Sequence, residues 1–223
     1  MASLSVLIPT LNAVPLLAKC LDALAGVDVI VVADGGSIDG TQAAARLRGA
    51  QVIETARGRG TQLAAAARHA DTQWLLFLHA DTVLQPGWRH EAGAFMQRAD
   101  TARRAAAFRF ALDDASPAAR RLETAVALRC RMLALPYGDQ GLLISRQLYD
   151  CVGGYRDLPI MEDVDIVRRI GRARLEMLQT RAVTSADRWR RDGWFRRSAR
   201  NAGCLALYGA GVPPRLIAKA YGG

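Results

Sequence analysis

Three short stretches of the sequence place a carboxylate where an apolar run ends or a helix begins. They are "VVADGGSIDGT" (31–41), "LLFLHADT" (75–82) and "MEDVD" (161–165). A lone carboxylate at such a point suits Mg²⁺ or Mn²⁺, which takes one or two carboxylates and completes its shell with phosphate oxygens and water. A carboxylate beside a hydroxyl can instead accept its proton as a general base. The residue types therefore predict a site for a phosphorylated ligand, with proton transfer nearby.

Apolar periodicity and turn residues place these stretches on an alternation of strands and helices. Strands are predicted over 4–8, 27–33, 50–54 and 74–78, with helices over 14–25, 39–48 and 61–70 between them. This alternation is typical of a parallel sheet covered by helices. Later strands are predicted over 105–112, 142–145, 175–178 and 182–184, and later helices over 87–98, 118–135, 161–172 and from 189 onward. We therefore predict an α/β fold with a mostly parallel central sheet, one domain over 1–223, and an arginine-rich helical tail over 185–223.

Polar side chains follow three of the predicted strands. Thr10 and Asn12 follow the first, Asp34 and Gly35 the second, and His79 and Asp81 the fourth. Ligands bind beyond the carboxyl ends of parallel strands, so we expect these residues to converge on one edge of the sheet. The turns after the second and fourth strands also have a structural explanation: Asp39 would cap the next helix, and Asp81 would cap the turn toward Pro86. The convergence favours a functional role.

Two further stretches carry residues suited to catalysis or anion binding. Acids at a helix start stabilise its dipole, but three within 162–165 are more than this requires. Asp163 is therefore our candidate general base. In "RGRG" (57–60), Arg59 and Gly60 adjoin a predicted helix whose N-terminus would meet an anion, with a plain loop as the alternative.

The composition limits the class of protein. The 223 residues carry a formal net charge of +9, and only two of the 30 basic residues are lysines. The arginine excess has four interpretations: nucleic acid, phosphorylated ligands, an anionic membrane, or the codon usage of a GC-rich genome. No apolar run is long enough to span a bilayer, no signal peptide is recognisable, and the four cysteines form no CxxC pair. We expect a cytoplasmic protein without zinc, whose cysteines are packing residues.

The order of the motifs resembles that of the family 2 glycosyltransferases. The motifs are "SVLIPTLNA", "VIVVADGGSIDGT", "GRGTQLAAAARHA", "LLFLHADTVLQPGW", "GDQGLLISRQLYDCVGGY" and "MEDVDIVRRI". They look closest to a small bacterial subgroup often labelled radical-SAM/selenodomain-associated transferases, which is also similar over "RRDGWFRRSARN" and "YGAGVPPRLIAKAY". The resemblance implies a GT-A fold, a UDP- or GDP-sugar donor, and inverting transfer of a hexose to an acceptor hydroxyl that the sequence does not identify.

The resemblance also implies a donor side. Its residues would be Thr10, Asn12, Asp34, Gly35, Arg59, Gly60, His79, Asp81, Arg188 and Arg191. Asp81, together with His79, would hold a divalent Mg or Mn ion. The sequence departs from the family pattern at Ala33 and at His79, where aspartate is usual. The second departure leaves one carboxylate for the metal.

An acceptor side is implied as well. Asp163 would take the proton of the acceptor hydroxyl, with Glu162 beside it in the acidic pair. Asp139 and Gln140 would lie on the acceptor side. Inversion needs one base and no covalent intermediate.

The segment "RWRRDGWFRRSARN" (188–201) is predicted as one helix. Its apolar face would consist of Trp194, Phe195, Ala199, Ala202 and Leu205. Arg191 would fall on that face and Arg188 at its edge, so either would turn inward to the diphosphate. Arg190, Arg197 and Arg200 are expected in solvent. Contact with an anionic bilayer at the inner face of the cell membrane is an alternative interpretation.

Three other functions compete with sugar transfer. A sugar-phosphate nucleotidyltransferase would need a glycine-rich loop with a lysine after the first strand, and "IPTLNAVP" has neither. A nucleic-acid-binding module would cluster its basic and aromatic residues on one face, whereas here the arginines are spread along the chain. We therefore expect no nucleic acid partner. A relative that binds nucleotide sugar without transferring it stays open because of His79.

Overall fold

A computed structural model describes residues 3–222 of the chain. The strands are β1 (Leu4–Thr10), β2 (Val29–Asp34), β3 (Gln51–Glu54), β4 (Trp74–Phe77), β5 (Thr82–Leu84), β6 (Ala105–Leu112), β7 (Leu142–Ser145) and β8 (Leu175–Thr184). The helices are α1 (Val14–Asp22), α2 (Thr41–Leu47), α3 (Arg59–His69), α4 (Trp88–Met96), α5 (Pro117–Leu133), α6 (Arg146–Cys151), α7 (Glu162–Ile170), α8 (Asp187–Asp192), α9 (Trp194–Gly209) and α10 (Pro214–Gly222). The predicted α/β class and the helical tail are confirmed.

The strands form one sheet in the order β3-β2-β1-β4-β7-β6-β8-β5. The first four strands pair in parallel, as predicted. The second half is mixed: β6 and β8 are parallel, but β7 runs antiparallel to both β4 and β6, and β5 antiparallel to β8. Four of the seven pairings are thus parallel, in agreement with the expected mostly parallel sheet, and every antiparallel pairing involves β5 or β7. Because β7 is antiparallel to β4, the residues just before β7 lie at the carboxyl end of β4.

The edge strand β5 and the continuity of β8 were not predicted. We expected two short strands over 175–184, and the structure has one strand interrupted by an irregularity. The register shifts there, from Ala107 opposite Met177 to Arg109 opposite Arg181. The Glu91 carboxylate accepts hydrogen bonds from the amides of residues 179 and 180, at 2.6 and 2.8 Å. These amides are satisfied without a strand partner, so the strand continues past the irregularity.

The core lies on both faces of the sheet. All seven residues of β1 are buried, and alternate side chains point to opposite faces. Leu7 packs on one face with Phe77 and residues of α3 and α7, while Val6 and Ile8 pack on the other with residues of α1 and α4. Three cysteines are buried as expected, but Cys151 is exposed, so its assignment as a packing residue was wrong.

Gln62 of α3 connects the ends of the two strands that carry the first polar cluster. Its side chain is buried, and its Nε2 donates to the carbonyls of Thr10 (2.7 Å) and Ala33 (2.8 Å). These carbonyls lie at the ends of β1 and β2. The amide thus supplies hydrogen bonds that a buried strand end cannot obtain from water.

We predict that Gln62→Leu destabilises the protein by about 1–3 kcal/mol, because it leaves the Ala33 carbonyl buried without this donor. Urea unfolding followed by circular dichroism measures the effect. The control is Gln179→Leu, the same exchange at an exposed position. Equal stability of the two variants would contradict the assigned role of Gln62.

Candidate active site

The first cluster at the sheet edge is built around Asp34, the last residue of β2. Its buried carboxylate accepts hydrogen bonds from the backbone amides of residues 36 and 37 and from the side chains of Thr10, Ser37 and Gln42. Burial opposes ionisation, but the hydrogen bonds from Ser37, Gln42 and Thr10 outweigh it and lower the pKa of Asp34. Asp34 therefore holds the shape of the loop that follows it.

Asn12 joins the loop after β1 to the loop after β2. Its Oδ1 accepts from the amide of Ile38 at 3.0 Å, and its own amide donates to the Ser37 hydroxyl at 2.8 Å. The side chain is exposed, and its backbone has a φ of 49°, which asparagine tolerates better than most residues. Gly35 packs against the side chain of Gln62, where an added Cβ would lie 3.3 Å from the Gln62 Nε2. The structure thus brings Thr10, Asn12, Asp34 and Gly35 together, as predicted.

A second group of predicted residues lines a cavity of about 390 Å³. His79 and Asp81 reach it from the segment after β4, Asp139 from the segment before β7, and Asp163 from α7. Arg59 and Arg188 also line it. The predicted residues therefore divide between a loop cluster at β1 and β2 and a charged cavity at β4 and β7.

His79 is an uncharged member of the cavity at neutral pH. Burial, together with the positive charge of Arg59, lowers its pKa to about 4 and outweighs the effect of the nearby acids. Its ring packs against Gly138, where an added Cβ would lie 2.5 Å from Nε2. Residue 138 must therefore lack a side chain for His79 to keep this position.

Asp163 and Glu162 have different environments although they are adjacent. The Asp163 Oδ2 accepts from the amide of Gly138 at 2.9 Å, and its side chain faces the cavity. Glu162 is buried, does not line the cavity, and forms an ion pair with Arg59 at 2.6 Å. Burial raises its pKa even though Arg59 opposes this. The geometry therefore places the Asp163 carboxylate at the cavity and the Glu162 carboxylate against Arg59.

Asp139 and Gln140 also separate. Asp139 lines the cavity, and its Oδ1 has no hydrogen-bond partner among residues 3–222. Burial and the neighbouring Asp163 and Asp81 raise its pKa to about 7, with Arg129 opposing. Gln140 is buried and donates to the carbonyl of Phe108 at 2.9 Å, so it fixes the chain before β7 and does not reach the cavity.

The family model described as "Glycosyl transferase family 2" matches residues 5–156, which is more than half of the chain. The chain belongs to glycosyl transferase family 2. The match includes the loop cluster and the His79–Asp81 segment, and it ends before Asp163. The narrower bacterial subgroup stays a prediction.

Solved glycosyltransferases have a similar fold. Glucosyl-3-phosphoglycerate synthase from Mycobacterium tuberculosis, in complex with Mn²⁺, UDP and glucosyl-3-phosphoglycerate, is 19% identical with a TM-score of 0.59, over 82% of this chain and 71% of that one. The mannosyltransferase PcManGT from Pyrobaculum calidifontis, in complex with GDP-Man and Mn²⁺, is 22% identical with a TM-score of 0.61, over 82% and 56%. S. aureus TarS 1-349 is 17% identical with a TM-score of 0.66, over 92% and 65%. No curated protein sequence matches the chain. These structures confirm the predicted GT-A fold.

Few side chains in this family 2 glycosyltransferase could coordinate a metal ion. Within residues 3–222, no three histidine, cysteine or acidic side chains form a metal-binding group. Asp81 lines the cavity with its side chain 17% exposed, and Arg188 lies 3.9 Å from it. His79 supplies a neutral imidazole beside it. One carboxylate and one imidazole suit an ion that takes its remaining ligands from a bound diphosphate and water.

The tail of the glycosyltransferase differs from the predicted single helix. Gly193, with a φ of 84°, separates α8 from α9. Phe195, expected on a buried face, is 88% exposed, and Arg197, expected in solvent, is 8% exposed. Arg188 lines the cavity as predicted, whereas Arg191 is largely exposed and pairs with Asp192. In the part of the chain that the structure describes, no helix is both long and apolar enough to cross a bilayer.

Arg129 and Arg197 also line the cavity and were missed by sequence reasoning. The Arg129 guanidinium lies 3.5 Å from the centre of the Tyr137 ring and hydrogen-bonds the carbonyl of Leu135. No local signal in "VALRCRML" distinguishes Arg129 from its neighbours. For Arg197, a helix restarting after Gly193 would have placed it on the same face as Asn201 and Leu205, both of which line the cavity.

We predict that Asp139→Asn raises the melting temperature more at pH 8 than at pH 5. The folded state keeps the proton of Asp139 up to a pKa of about 7, while the unfolded state loses it near the ordinary value of 3.8. The folded state binds more protons between these values, so its stability falls as the pH rises through this window, and the variant escapes that loss. Thermal unfolding from pH 5 to 8 measures it. Asp71→Asn, at an exposed site, is the control; parallel pH curves for both variants would contradict the prediction.

Proposed function

We propose that this family 2 glycosyltransferase is a hexosyltransferase that moves a sugar from a UDP or GDP donor to an acceptor hydroxyl, with inversion. The observation that carries the proposal is the charged cavity, in which Asp163 faces the same space as Asp81 and Arg188. A proton acceptor and groups suited to a diphosphate are thereby held around one volume. The proposal treats 1–223 as one domain.

The donor would bind along the sheet edge. The loop cluster of Thr10, Asn12, Asp34 and Gly35 would receive the nucleoside, with Asp34 acting through the loop amides that it holds. The Arg59 and Arg188 guanidinium groups would face the diphosphate, since arginine pairs with phosphate oxygens through two parallel hydrogen bonds. Gly60 would allow the start of α3 to lie close to the backbone at Arg156, because an added Cβ at residue 60 would lie 2.2 Å from the Arg156 carbonyl oxygen. Glucosyl-3-phosphoglycerate synthase and PcManGT were solved with UDP and GDP-Man respectively, which supports this donor class.

Asp81, with His79, would hold the divalent ion. When bound, Mg²⁺ or Mn²⁺ supplies positive charge that stabilises the leaving diphosphate. Arg188 supplies part of that charge from the chain itself, because it faces both Asp81 and the cavity. Both similar structures contain Mn²⁺, which supports the metal assignment.

Asp163 would remove the proton from the acceptor hydroxyl as the oxygen attacks the anomeric carbon. The amide of Gly138 fixes Oδ2, so the carboxylate is oriented before the acceptor arrives. Asp139 keeps its proton up to about pH 7 and would donate a hydrogen bond on the acceptor side. Glu162 would orient Arg59, and Gln140 would position Asp139.

We expect UDP or GDP, but not both equally, to bind in calorimetric titrations with Mn²⁺. Binding should weaken in EDTA and in Asp81→Asn, because the diphosphate and Asp81 would share the ion. The Asp71→Asn variant serves as control. Binding of one nucleotide that is indifferent to EDTA would remove the metal role of Asp81 and leave the donor site. No binding of either nucleotide would overturn the proposed function.

We expect Asp163→Asn to lower kcat for donor turnover by about 10²–10⁴-fold, the usual contribution of a general base. Nucleotide affinity should stay unchanged, because asparagine keeps an oxygen for the Gly138 amide. Nucleotide release from UDP-glucose and GDP-mannose measures it, with water and a panel of hydroxyl compounds as acceptors. Glu162→Gln is the comparison, and there we expect weaker nucleotide binding through Arg59. Full activity of Asp163→Asn would exclude it as the base.

Binding of nucleotide sugar without transfer is the second candidate, and His79 favours it. An imidazole replaces the aspartate usual at that position in the resembling family, which reduces the negative charge available to a metal. Donor binding by the wild type without any nucleotide release would support this second function.

A further inference from the structure

A second cavity lies next to the charged cavity. Its volume is about 730 Å³, and its lining consists of Arg59, Arg188, Arg191, Asp192, Arg196, Arg197 and Arg200. We call it the arginine cavity. Arg59, Arg188 and Arg197 line both cavities, so the two are adjacent. Six cationic side chains and one carboxylate make it a strongly positive space.

The acids of the protein balance only part of this charge. The Asp192 carboxylate pairs with Arg191 at 3.0 Å, Arg197 at 2.6 Å and Arg200 at 3.3 Å, so one negative charge serves three guanidinium groups. Arg196 forms no hydrogen bond and no ion pair with another residue in 3–222. Positive charges held this close repel each other unless an anion enters.

Arg197 gives the most direct indication of a missing ligand. Its side chain is 10% exposed, its guanidinium lies 5.2 Å from the centre of the Trp189 ring, and its Nε has no hydrogen-bond partner within the described chain. It lies in the first turn of α9, a helix of 16 residues without an acidic residue in that turn. The helix dipole disfavours a cation at this end and favours an anion. Asp192 already pairs with the Nη1 of Arg197, so it is the buried Nε that needs a hydrogen-bond acceptor, and the helix end favours an acceptor that carries negative charge.

We propose that the arginine cavity binds a phosphate group of the acceptor while the acceptor hydroxyl faces Asp163. This inference rests on the proposed function, and it names the acceptor class: a phosphorylated hydroxyl compound. Arg191, Arg196 and Arg200 line the arginine cavity and not the charged cavity that contains Asp81. The donor diphosphate would use Arg59 and Arg188 at the boundary, and the remaining arginines are left for a second anion.

The test uses inorganic phosphate as the probe. Calorimetry at low ionic strength measures phosphate binding to the wild type saturated with UDP or GDP, whichever binds, and to an Arg196→Gln/Arg200→Gln variant. We expect phosphate to bind the nucleotide-loaded wild type and to bind the variant roughly tenfold or more weakly, since a charge-assisted hydrogen bond contributes about 1.5–3 kcal/mol. Nucleotide affinity should be much less affected.

The matched control is Arg103→Gln/Arg174→Gln. Both residues are exposed and lie just before the first residues of β6 and β8, at the edge of the sheet opposite the site. The variant removes the same charge. It should leave phosphate and nucleotide affinity unchanged. An equal loss in the control would mean that phosphate responds to net charge alone, which would overturn the proposal.

Two other results would also overturn it. The first is that phosphate fails to bind the nucleotide-loaded protein. The second is that nucleotide affinity falls as much as phosphate affinity in the Arg196/Arg200 variant. Either result would assign these arginines to the donor diphosphate. Failure of the proposed function is distinguishable, because then neither nucleotide binds. In that case phosphate binding to the free protein that depends on Arg196 and Arg200 would still support an anion site, and its absence would exclude one.

The phosphate could belong to a dissolved compound or to a lipid headgroup. Flotation with phosphatidylcholine vesicles, with and without phosphatidic acid, distinguishes the sources. Vesicle binding that requires phosphatidic acid and is lost in the Arg196/Arg200 variant supports a lipid-linked acceptor, with the exposed Phe195 of α9 beside the cavity. Phosphate binding without vesicle binding supports a dissolved acceptor.

Discussion

Repulsion between carboxylates is the constraint on which the charged cavity depends. Asp81, Asp139 and Asp163 face one volume of about 390 Å³, and three full negative charges there would oppose each other strongly. Two features of the protein reduce this repulsion. Asp139 keeps a proton up to a pKa of about 7, and arginines from α3, α5 and α8 surround the acids. The proton on Asp139 therefore removes one of the three negative charges from the cavity below about pH 7.

Gly138 connects this charge arrangement to the backbone. Its amide holds the Asp163 carboxylate, and its lack of a side chain leaves room for the His79 ring. One residue thus sets the position of a group after β4 and of a group on α7. Because β7 runs antiparallel to β4, the segment that contains Gly138 lies at the carboxyl end of β4. The reversal of strand direction therefore positions the part of the cavity that contains Asp139.

The first half of the fold was predictable because its strands are buried on both faces and its turns are rich in glycine and aspartate. The placement of Thr10, Asp34 and Asp81 along one edge of the sheet followed from that pattern, but their division between two groups did not. The direction of β7 did not, since a four-residue apolar strand reads alike in both directions. Gln62 was also missed, because a glutamine that caps two strand ends looks like any polar residue of an alanine-rich helix.

The tail shows how one residue alters a prediction of burial. A continuous helix over 188–201 places Arg197 in solvent and Phe195 inside, and the structure has the reverse. Gly193 ends α8, and α9 begins afresh at Trp194, so the first residue of α9 that lines the charged cavity is Arg197. The Nε group of Arg197 then lies inside the protein, on the boundary between the two cavities, and has no hydrogen-bond partner among residues 3–222. Asp81, Asp139 and Asp163 lie on one side of that boundary, while the arginines that line only the second cavity lie on the other, with Asp192 among them. The proposed acceptor, with a hydroxyl at one end and a phosphate at the other, would contact both sides at once.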